Sequence, residues 1–567
     1  MTSASPDRLP DESRAGSLAR PVLAVENLSV ALPRGAERAF AVEDVSFAIK
    51  PREIVCIVGE SGSGKSVTSL AVMGLLAPGI AIAQGALRFE EHDIRALSPR
   101  AHEDLRGDRM AMIFQEPMSA LNPAYTAGEQ IEEIFRRHRP TLSGSERRAR
   151  TMALLDEVRL PEPARIHRAF PHELSGGQRQ RIMIAMALAL DPKLLIADEP
   201  TTALDVTTQA QILRLIKDLN ARHDAAILFI THDFGVVAEI ADRAIVMRQG
   251  RIVEQGTAEK VLNRPDHPYT KALINAVPRR RLRQDPLPTE REDAVRVTGL
   301  AKSFRARAGL FQARRRVAAL DDVDLSLGRG EALAIVGESG SGKTTLARCL
   351  MRLIDPDRGE ITLGGTDVAR LPRQALRAYR KDIQIVFQDP YASLNPRRSV
   401  GAQLIQGPLN FGVPRAEAEA RVRRLLDIVR LPPESLERYP NAFSGGQRQR
   451  LCIVRALAVE PQVLIADEAV SALDVSIQKQ VLDLINTIRA TYGLTVLFIT
   501  HDLRVASQVA DRVIVMQHGK IVESGPVTAI FGAPGEAYTK ALLAAQPGAG
   551  WEIPSFEGAE AAAGLAS

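Results

Sequence analysis

The sequence predicts an α/β fold arranged as two consecutive units, each with a mainly parallel core sheet. Residues 59–66 read GESGSGKS, and residues 337–344 read GESGSGKT. A short apolar run precedes each copy, at 54–58 and 332–336, and a helical pattern follows it. Strand, glycine-rich loop and helix in this order are typical of parallel α/β proteins. Because the copies lie 278 residues apart, they indicate two whole domains and not a solenoid of short repeats.

The later motifs recur in the same order, so the duplication covers nearly the whole chain. Apolar runs at 194–197 and 463–466 end in Asp-Glu, and β-rich runs at 226–230 and 495–499 end in Thr-His-Asp. We expect an N-terminal tail at 1–21, a first domain at 22–277, a Pro- and Arg-rich linker at 278–293, a second domain at 294–546, and a mobile Gly- and Ala-rich tail at 547–567.

Composition is that of an ordinary globular protein, with 25% charged residues among 567 and a net charge of +5. Apolar stretches such as 182–190 are shorter than the roughly 18 residues that a membrane helix needs. The polar N-terminus lacks the apolar core of a secretion signal, so we expect a cytoplasmic protein. The basic clusters at 279–283 and 314–316 read as solvated loops, and no nucleic acid is expected as a partner.

The cysteines Cys56, Cys349 and Cys452 show no CxxC spacing. We therefore expect small core residues there, and no zinc or iron-sulfur site.

The doubled octapeptide matches the pattern G-x-x-x-x-G-K-(S/T), whose backbone N–H groups wrap a phosphate while the lysine reaches the β and γ phosphates. A structural glycine turn is the alternative, but strand and helix flank both copies. The predicted nucleotide-binding residues are Gly59, Ser61, Gly62, Ser63, Gly64, Lys65, Ser66 and Val67 in the first unit, and Gly337, Ser339, Gly340, Ser341, Gly342, Lys343, Thr344 and Thr345 in the second. The hydroxyls of Ser66 and Thr344 are predicted Mg²⁺ ligands.

Two carboxylate pairs close apolar strands, Asp198-Glu199 in the first unit and Asp467-Glu468 in the second. We expect each Asp near Mg²⁺ and each Glu near an attacking water, because hydrolysis needs both roles. Taken alone, such a pair is more often a helix cap. The spacing to the neighbouring motifs is the same in both units, which favours the catalytic interpretation.

A second predicted anion site lies at a helix start in each unit. Serine is a good N-cap, and glycines expose backbone donors at the positive end of the helix dipole. An ordinary glycine-rich helix start is the alternative, but the same motif recurs in the same place. The residues are Ser175, Gly176, Gly177 and Gln178, and Ser444, Gly445, Gly446 and Gln447.

In this order the motifs GESGSGK(S/T), (L/F)SGGQRQR, LIADE, (S/T)ALDV and ITHD resemble those of ABC transporter ATPases. The resemblance implies two P-loop NTPase domains, each with an antiparallel β subdomain and a helical subdomain. They would pack head to tail, so that each ATP lies between the glycine-rich loop of one unit and the SGGQ segment of the other. Both sites retain every motif and are expected to be competent.

The same resemblance implies individual roles. Glu199 and Glu468 would be the catalytic carboxylates, with Mg²⁺ held partly by Asp198 and Asp467. The other residues are the switch histidines His232 and His501, the Mg²⁺ and water sensors Gln115 and Gln388 that also couple to a membrane partner, and the interface residues Asp205 and Asp474. An aromatic residue would stack on adenine: Phe304 fits in the second unit, and the first offers Leu32 or Phe40.

Further segments resemble the dipeptide, oligopeptide and nickel importers within this family. They are EPMSALNP at 116–123, DPYASLNP at 389–396, HPYTKAL at 267–273 and EAYTKAL at 536–542. The run ADEAVSALDVS at 466–476 resembles the fused, glutathione-importing branch. The implied partners are two integral membrane permease subunits and a periplasmic solute-binding protein, at the cytoplasmic face of a bacterial inner membrane, with no direct contact to the substrate.

Two alternatives stay open at this point. Soluble tandem ATPases that act on ribosomes share the motifs, although their long charged helical linker is missing here. Within the importer group, a non-peptide solute such as nickel is the other possible cargo. DNA-repair relatives need zinc modules or coiled-coil insertions, for which the motif spacing leaves no room.

Overall fold

The computed structural model describes residues 20–36, 38–116, 120–201, 204–279, 292–305, 316–471 and 473–558. Each unit contains a six-stranded, mainly parallel core sheet, a four-stranded antiparallel sheet and a group of helices. The predicted α/β fold with two tandem units is therefore confirmed. Among the described residues, no helix has the length and apolarity needed to cross a membrane.

The described part of unit 1 contains ten strands in two sheets. The antiparallel sheet has the order β2-β1-β4-β5 and the core sheet the order β10-β9-β3-β8-β7-β6. The strands are β1 Leu23–Ala31, β2 Phe40–Ile49, β3 Ile54–Val58, β4 Ala81–Phe89, β5 His92–Asp93, β6 Met110–Ile113, β7 Leu194–Asp198, β8 Ala226–Ile230, β9 Arg243–Arg248 and β10 Arg251–Thr257. The helices are α1 Lys65–Met73, α2 Pro99–Leu105, α3 Ala127–His138, α4 Gly144–Glu157, α5 Pro163–His167, α6 Gly176–Leu188, α7 Val206–His223, α8 Phe234–Ile240, α9 Ala258–Asn263 and α10 Pro268–Ala276.

Unit 2 repeats both sheets, in the orders β12-β11-β14-β15 and β16-β17-β18-β13-β19-β20. Its strands are β11 Asp293–Arg305, β12 Arg316–Gly328, β13 Ala332–Val336, β14 Arg358–Leu363, β15 Thr366–Asp367, β16 Ile383–Val386, β17 Val463–Asp467, β18 Thr495–Ile499, β19 Arg512–Gln517 and β20 Lys520–Pro526. Its helices are α11 Lys343–Leu350, α12 Leu376–Asp382, α13 Pro390–Ser393, α14 Val400–Leu404, α15 Gln406–Asn410, α16 Arg415–Ile428, α17 Gly445–Leu457, α18 Val475–Tyr492, α19 Leu503–Val509, α20 Val527–Gly532 and α21 Ala537–Ala544.

The centre of each core sheet explains the unbroken apolar runs in the sequence. Strands β3, β7 and β8 are buried along their whole length and pair in parallel. Helices cover both faces of a parallel sheet, so its central strands are apolar at every position. The glycine-rich loop and the Asp-Glu and Thr-His motifs follow the carboxyl ends of these strands, where parallel sheets bind ligands.

The C-terminal tail departs from the expectation of a mobile segment. Trp551, Ile553 and Phe556 pack against the apolar core of unit 1, although they follow unit 2 in the chain. The Trp551 indole N–H donates to Asn263 Oδ1 at 2.9 Å, and Arg279 Nη2 donates to the Pro554 carbonyl at 2.6 Å. The sequence could not indicate this docking, because the hydrogen-bond partners of the tail lie more than 250 residues away along the chain. Most of the predicted linker, 280–291, lies outside the described residues.

Candidate functional site

The glycine-rich loop of unit 1 closes around its own lysine. Lys65 Nζ donates hydrogen bonds to the carbonyl oxygens of Gly59 at 2.7 Å and Glu60 at 2.9 Å. A Cβ on Gly59 would clash with the Met247 carbonyl oxygen, so only glycine lets the loop approach β9 this closely. Ser63 Oγ is buried and has no hydrogen-bond partner among the described residues. The rest of the predicted loop follows in place at Ser61, Gly62, Gly64, Ser66 and Val67.

The loop of unit 2 has the same geometry. Lys343 Nζ donates to the Gly337 and Glu338 carbonyl oxygens at 2.8 and 2.7 Å. It also lies 3.5 Å from Ser341 Oγ. Ser339, Gly340, Gly342, Thr344 and Thr345 line the cavity beside it. Buried hydroxyls and a lysine at the start of a helix form a cradle that suits the oxygens of a phosphate chain.

Each loop hydroxyl lies beside the Asp of the carboxylate pair. Ser66 Oγ donates to Asp198 Oδ1 at 3.0 Å, and Thr344 Oγ1 donates to Asp467 Oδ1 at 3.3 Å. A hydroxyl and a carboxylate are hard oxygen ligands of the kind that Mg²⁺ prefers. Among the described residues, no group of three or more His, Cys, Asp or Glu could hold a metal ion. Such a pair therefore fits a cation that takes its remaining ligands from water and phosphate.

Gln, Glu and His converge at the end of β7. Gln115 Nε2 donates to Glu199 Oε2 at 3.1 Å, and His232 Nδ1 lies 3.3 Å from the same oxygen. Glu199 has φ 44°, in the left-handed region that non-glycine residues rarely adopt. Strain of this kind clusters at functional sites because the surrounding structure must hold it in place.

Unit 2 repeats this convergence at the end of β17. Gln388 Nε2 donates to Glu468 Oε2 at 2.7 Å, and His501 Nδ1 lies 3.6 Å from that oxygen. Glu468 has φ 49°. In both units, the glutamine, glutamate and histidine predicted to contact the attacking water and the γ-phosphate thus lie together.

Burial and neighbouring charges set the protonation of these groups. Burial is the largest cause that raises the pKa of Asp198 to about 6, and it also lowers the pKa of Lys65. Burial opposes the charged His501, but its hydrogen bond to Glu468 prevails and raises the histidine pKa. Burial would raise the pKa of Glu468, yet the same contact lowers it. Glu468 is therefore held in the charged form that a base requires.

The SGGQ segments begin helices α6 and α17 with the same cap. Ser175 Oγ accepts from the Gln178 N–H at 3.2 Å, and the Ser175 N–H donates to Gln178 Oε1 at 3.0 Å. Ser444 and Gln447 form the same reciprocal pair. Each segment is thus an ordinary capping box. The backbone N–H groups of its two glycines lie in the first turn of the helix. These glycines are Gly176 and Gly177 in α6, and Gly445 and Gly446 in α17.

A cavity of about 670 Å³ separates the loop of unit 1 from the SGGQ segment of unit 2. Its lining includes Glu60, Ser61 and Gly62 of unit 1 and Ser444, Gly445 and Gly446 of unit 2. The cavity lies within the range of small-molecule sites, about 300 to 1,000 Å³. The head-to-tail pairing implied by the family thus has a physical counterpart at this site.

The second cavity, of about 360 Å³, lies at the loop of unit 2 and includes Phe304, Glu468 and His501. Among the described residues that line it, unit 1 contributes Leu204 and Asp205 and none of 175–178. The structure thus brings the loop of unit 2 to the Asp205 segment of unit 1. It does not bring the SGGQ segment of unit 1 into the same cavity.

The acidic residues before helices α7 and α18 reach across the two units. The charge of Asp474 acts on Lys65 and favours its protonated form, against the larger effect of burial. Asp205 acts in the same way on Lys343. The negative charge of a carboxylate from the opposite unit therefore acts on each phosphate-binding lysine.

Strand register identifies the residue of unit 1 that corresponds to Phe304. Phe304 pairs with Val317 one step beyond the Ser303–Ala318 pair. In unit 1, the Ala31–Phe40 pair is followed by Leu32, whose N–H donates to the Ala39 carbonyl. Leu32 thus occupies the position of Phe304, and Phe40 lies on the neighbouring strand.

Arg504 of unit 2 contacts a carboxylate of unit 1. Arg504 Nη2 lies 3.7 Å from Asp233 Oδ2 of unit 1, and its Nε lies 3.8 Å from Asp502 Oδ1. Burial lowers the pKa of Arg504, but these two carboxylates raise it above its usual value. The equivalent residue of unit 1 is Gly235, where a Cβ would lie 3.1 Å from Arg504 Nη1. The central contact is therefore asymmetric.

The sequence motifs did not indicate the residues that bind Glu60 and Glu338, nor Arg504. The missed partners are Tyr269, Tyr538, Ser476 and Thr207. A signal existed, because both tyrosines lie in the duplicated segments HPYTKAL and EAYTKAL. Their target could not be read from the sequence.

A family model described as ABC transporter matches residues 42–202 and 320–471, more than half of the chain. The chain belongs to the ABC transporter ATPases. A model described as the C-terminal region of oligopeptide/dipeptide transporters matches residues 253–316 of this ABC ATPase, a span that includes HPYTKAL. The predicted family is confirmed.

Curated relatives extend the match along the chain. This ABC ATPase is 48% identical to the glutathione import ATP-binding protein GsiA of Escherichia coli O157:H7 over 570 residues, covering 95% of this chain and 90% of that protein. The same protein of Shigella dysenteriae serotype 1 gives the same values. A dimeric post-hydrolysis structure of the ATP-binding cassette MJ0796 with ADP and phosphate is 27% identical, covers 41% of this chain and 98% of that one, and has a TM-score of 0.38.

Proposed function

We propose that this protein is the ATP-hydrolysing subunit of a bacterial importer of short peptides, with glutathione as the favoured cargo. The observation that carries the ATPase part is the pairing of the glycine-rich loop of unit 1 with 444–446 of unit 2 across one cavity. The cargo rests on the 48% identity to glutathione import proteins over 95% of the chain. We take the two ATPase domains as residues 22–277 and 294–546.

Glu199 and Glu468 act as the general bases that accept a proton from the attacking water. A base must be ionised and within reach of that water. The left-handed backbone of Glu199 and its contacts to Gln115 and His232 fix the carboxylate in one orientation. Gln115 orients the water, and His232 contacts the γ-phosphate. Gln388 and His501 do the same beside Glu468.

Mg²⁺ and ATP fit the residues present. Ser66 and Asp198 would hold the ion in the first site, and Thr344 and Asp467 would hold it in the second. When bound, Mg²⁺ neutralises charge on the β and γ phosphates. Lys65 and Lys343 bind those phosphates, for which they exchange their present backbone carbonyl contacts. Phe304 stacks on adenine in the second site, and Leu32 takes that place in the first.

The membrane subunits contact the surface beside Gln115 and Gln388. Two large exposed side chains, Phe114 and Tyr125, lie close in sequence to Gln115. Exposed aromatic residues are typical anchors of protein interfaces. The partners are two integral permease subunits and a periplasmic binding protein that holds the cargo, so this chain lies at the cytoplasmic face of the inner membrane without touching the cargo. Binding of two ATPs closes the units, and hydrolysis reopens them.

Substitution of the two bases tests the ATPase role. Glu199→Gln with Glu468→Gln keeps the size and shape of the side chains but removes the base, so we expect ATP binding to persist and turnover to fall about 100- to 10,000-fold. The measurements are phosphate release and binding of a fluorescent ATP analogue. Normal turnover in the double variant would refute the role of these carboxylates.

Transport requires a separate experiment. Co-expressed with its permease and binding protein, the wild type should take up labelled glutathione in an ATP-dependent way, and the double variant should not. Competition by unlabelled dipeptides or nickel distinguishes the other cargoes. Recovery of the protein with ribosomes and without membrane subunits would refute the importer.

A further inference from the structure

The second residue of each glycine-rich loop contacts three parts of the molecule. Glu60 accepts a hydrogen bond from Lys65 Nζ through its backbone carbonyl. Its Oε2 accepts from the Tyr269 hydroxyl at 3.0 Å, and its Oε1 accepts from the Ser476 hydroxyl. Ser476 belongs to unit 2, and Tyr269 belongs to the C-terminal segment of unit 1. One glutamate thus links the phosphate-binding lysine, the opposite unit and the C-terminal segment.

Unit 2 repeats the contact between the units, but its tyrosine contacts the glutamate backbone where Tyr269 contacts the carboxylate. Glu338 Oε1 lies 2.5 Å from the hydroxyl of Thr207, which is the unit 1 residue equivalent to Ser476. The Glu338 N–H donates to the Tyr538 hydroxyl at 3.2 Å. The Thr207 hydroxyl also lies 2.8 Å from Asp205 Oδ1, so its single proton serves one carboxylate at a time. The contact therefore exists in both units and is fully engaged in the first.

Tyr269 is well placed to orient its partner. Its side chain is fully buried, and the Arg248 guanidinium lies 4.8 Å from the ring centre. Helix α10, which carries Tyr269, packs against helix α18, which carries Ser476. A buried hydroxyl on a fixed ring gives a carboxylate only one favourable direction. The remaining carboxylate oxygen then points at the opposite unit.

We propose that Tyr269 orients the Glu60 carboxylate to bind Ser476, and thereby couples the C-terminal segment of unit 1 to closure of the first ATP site. Thr207 takes the place of Ser476 beside Glu338, whereas Tyr538 contacts the Glu338 backbone N–H, so the proposal is confined to Tyr269. Tyr269 is a positioning residue, because it acts through Glu60 and touches neither phosphate nor water. The inference rests on the proposed ATPase function, and it assigns a role to the HPYTKAL segment in closure.

Removal of one hydroxyl tests the proposal. Tyr269→Phe keeps the ring but leaves Glu60 without one of its two donors, so we expect kcat to fall about tenfold, the equivalent of one hydrogen bond to a charged group. The Kd for ADP, which occupies the loop of the reopened units, should stay within about twofold of the wild type, because the binding loop itself is unchanged. Tyr379→Phe is the matched control, since that buried hydroxyl donates to the Leu350 carbonyl within unit 2.

The opposite unit supplies the second pair of variants. Ser476→Ala should lower kcat as Tyr269→Phe does, whereas Ser476→Thr should restore it because Thr207 fills the equivalent position in unit 1. The two losses should not multiply in the Tyr269→Phe, Ser476→Ala double variant, since both act through Glu60.

The outcomes separate this inference from the proposed function. A kcat within about twofold of wild type for Tyr269→Phe, or a double variant with the full product of about 100-fold, would overturn it. If Tyr269→Phe does not fold, the Ser476→Ala and Ser476→Thr pair decides alone, and equal rates for the two would overturn the inference. Normal turnover in the Glu→Gln double variant would refute the ATPase function itself.

Discussion

Replacement of Asn275 by alanine should weaken docking of the C-terminal tail onto unit 1, and the fluorescence of Trp551 in the tail can report that change. Asn275 Nδ2 donates to the Phe556 carbonyl at 2.6 Å, and its Oδ1 accepts from the Phe556 N–H at 3.0 Å. Loss of two hydrogen bonds at about 1 kcal/mol each removes about 2 kcal/mol from tail docking. The undocked fraction should therefore rise about 30-fold.

Trp551 is the single tryptophan of the chain and lies within the docked tail. Its emission should shift to the red, and iodide should quench it, at lower urea in Asn275→Ala than in the wild type. Asn220→Ala is the matched control, because that side chain donates to the Arg52 and Ala225 carbonyls at 3.2 and 2.8 Å, away from the tail. Equal urea midpoints for Trp551 in Asn275→Ala and the wild type would refute the docking argument.

Three further predictions concern the ATP sites. His501→Gln removes the charged contact that lowers the pKa of Glu468 and leaves burial, which raises it. The acid limb of the kcat profile should therefore lie at higher pH than in the wild type, and an unmoved limb would contradict this. Phe304→Leu replaces the stacking residue of the second site by leucine, the residue that the first site has at Leu32. If the second site dominates turnover, the KM for ATP should rise about tenfold because stacking on adenine is lost. An unchanged KM would be the contrary result. Gly59→Ala places a Cβ against the Met247 carbonyl oxygen, so equilibrium dialysis should show ATP binding lost at the first site and kept at the second.

The sequence predicts those parts of the site that depend on local order along the chain. The glycine-rich loops lie between strand and helix because glycine, lysine and hydroxyl residues must follow one another there. The contact between Glu60 and Ser476 could not be predicted, since it joins residues 416 positions apart through the packing of two units. Leu32 could not be aligned with Phe304 by spacing, because the segment between β11 and β12 is longer than that between β1 and β2.

The asymmetry at Arg504 determines which halves can pair. Two copies of unit 1 would place Asp233 opposite Asp233, with Gly235 in place of a guanidinium. Two copies of unit 2 would bring two Arg504 side chains into a space that Gly235 leaves open for one. The first pairing leaves two carboxylates without a guanidinium and the second crowds two guanidinium groups, so both disfavour the wrong partner. If the chain were divided at the linker, each half should therefore pair with the other half in preference to a second copy of itself.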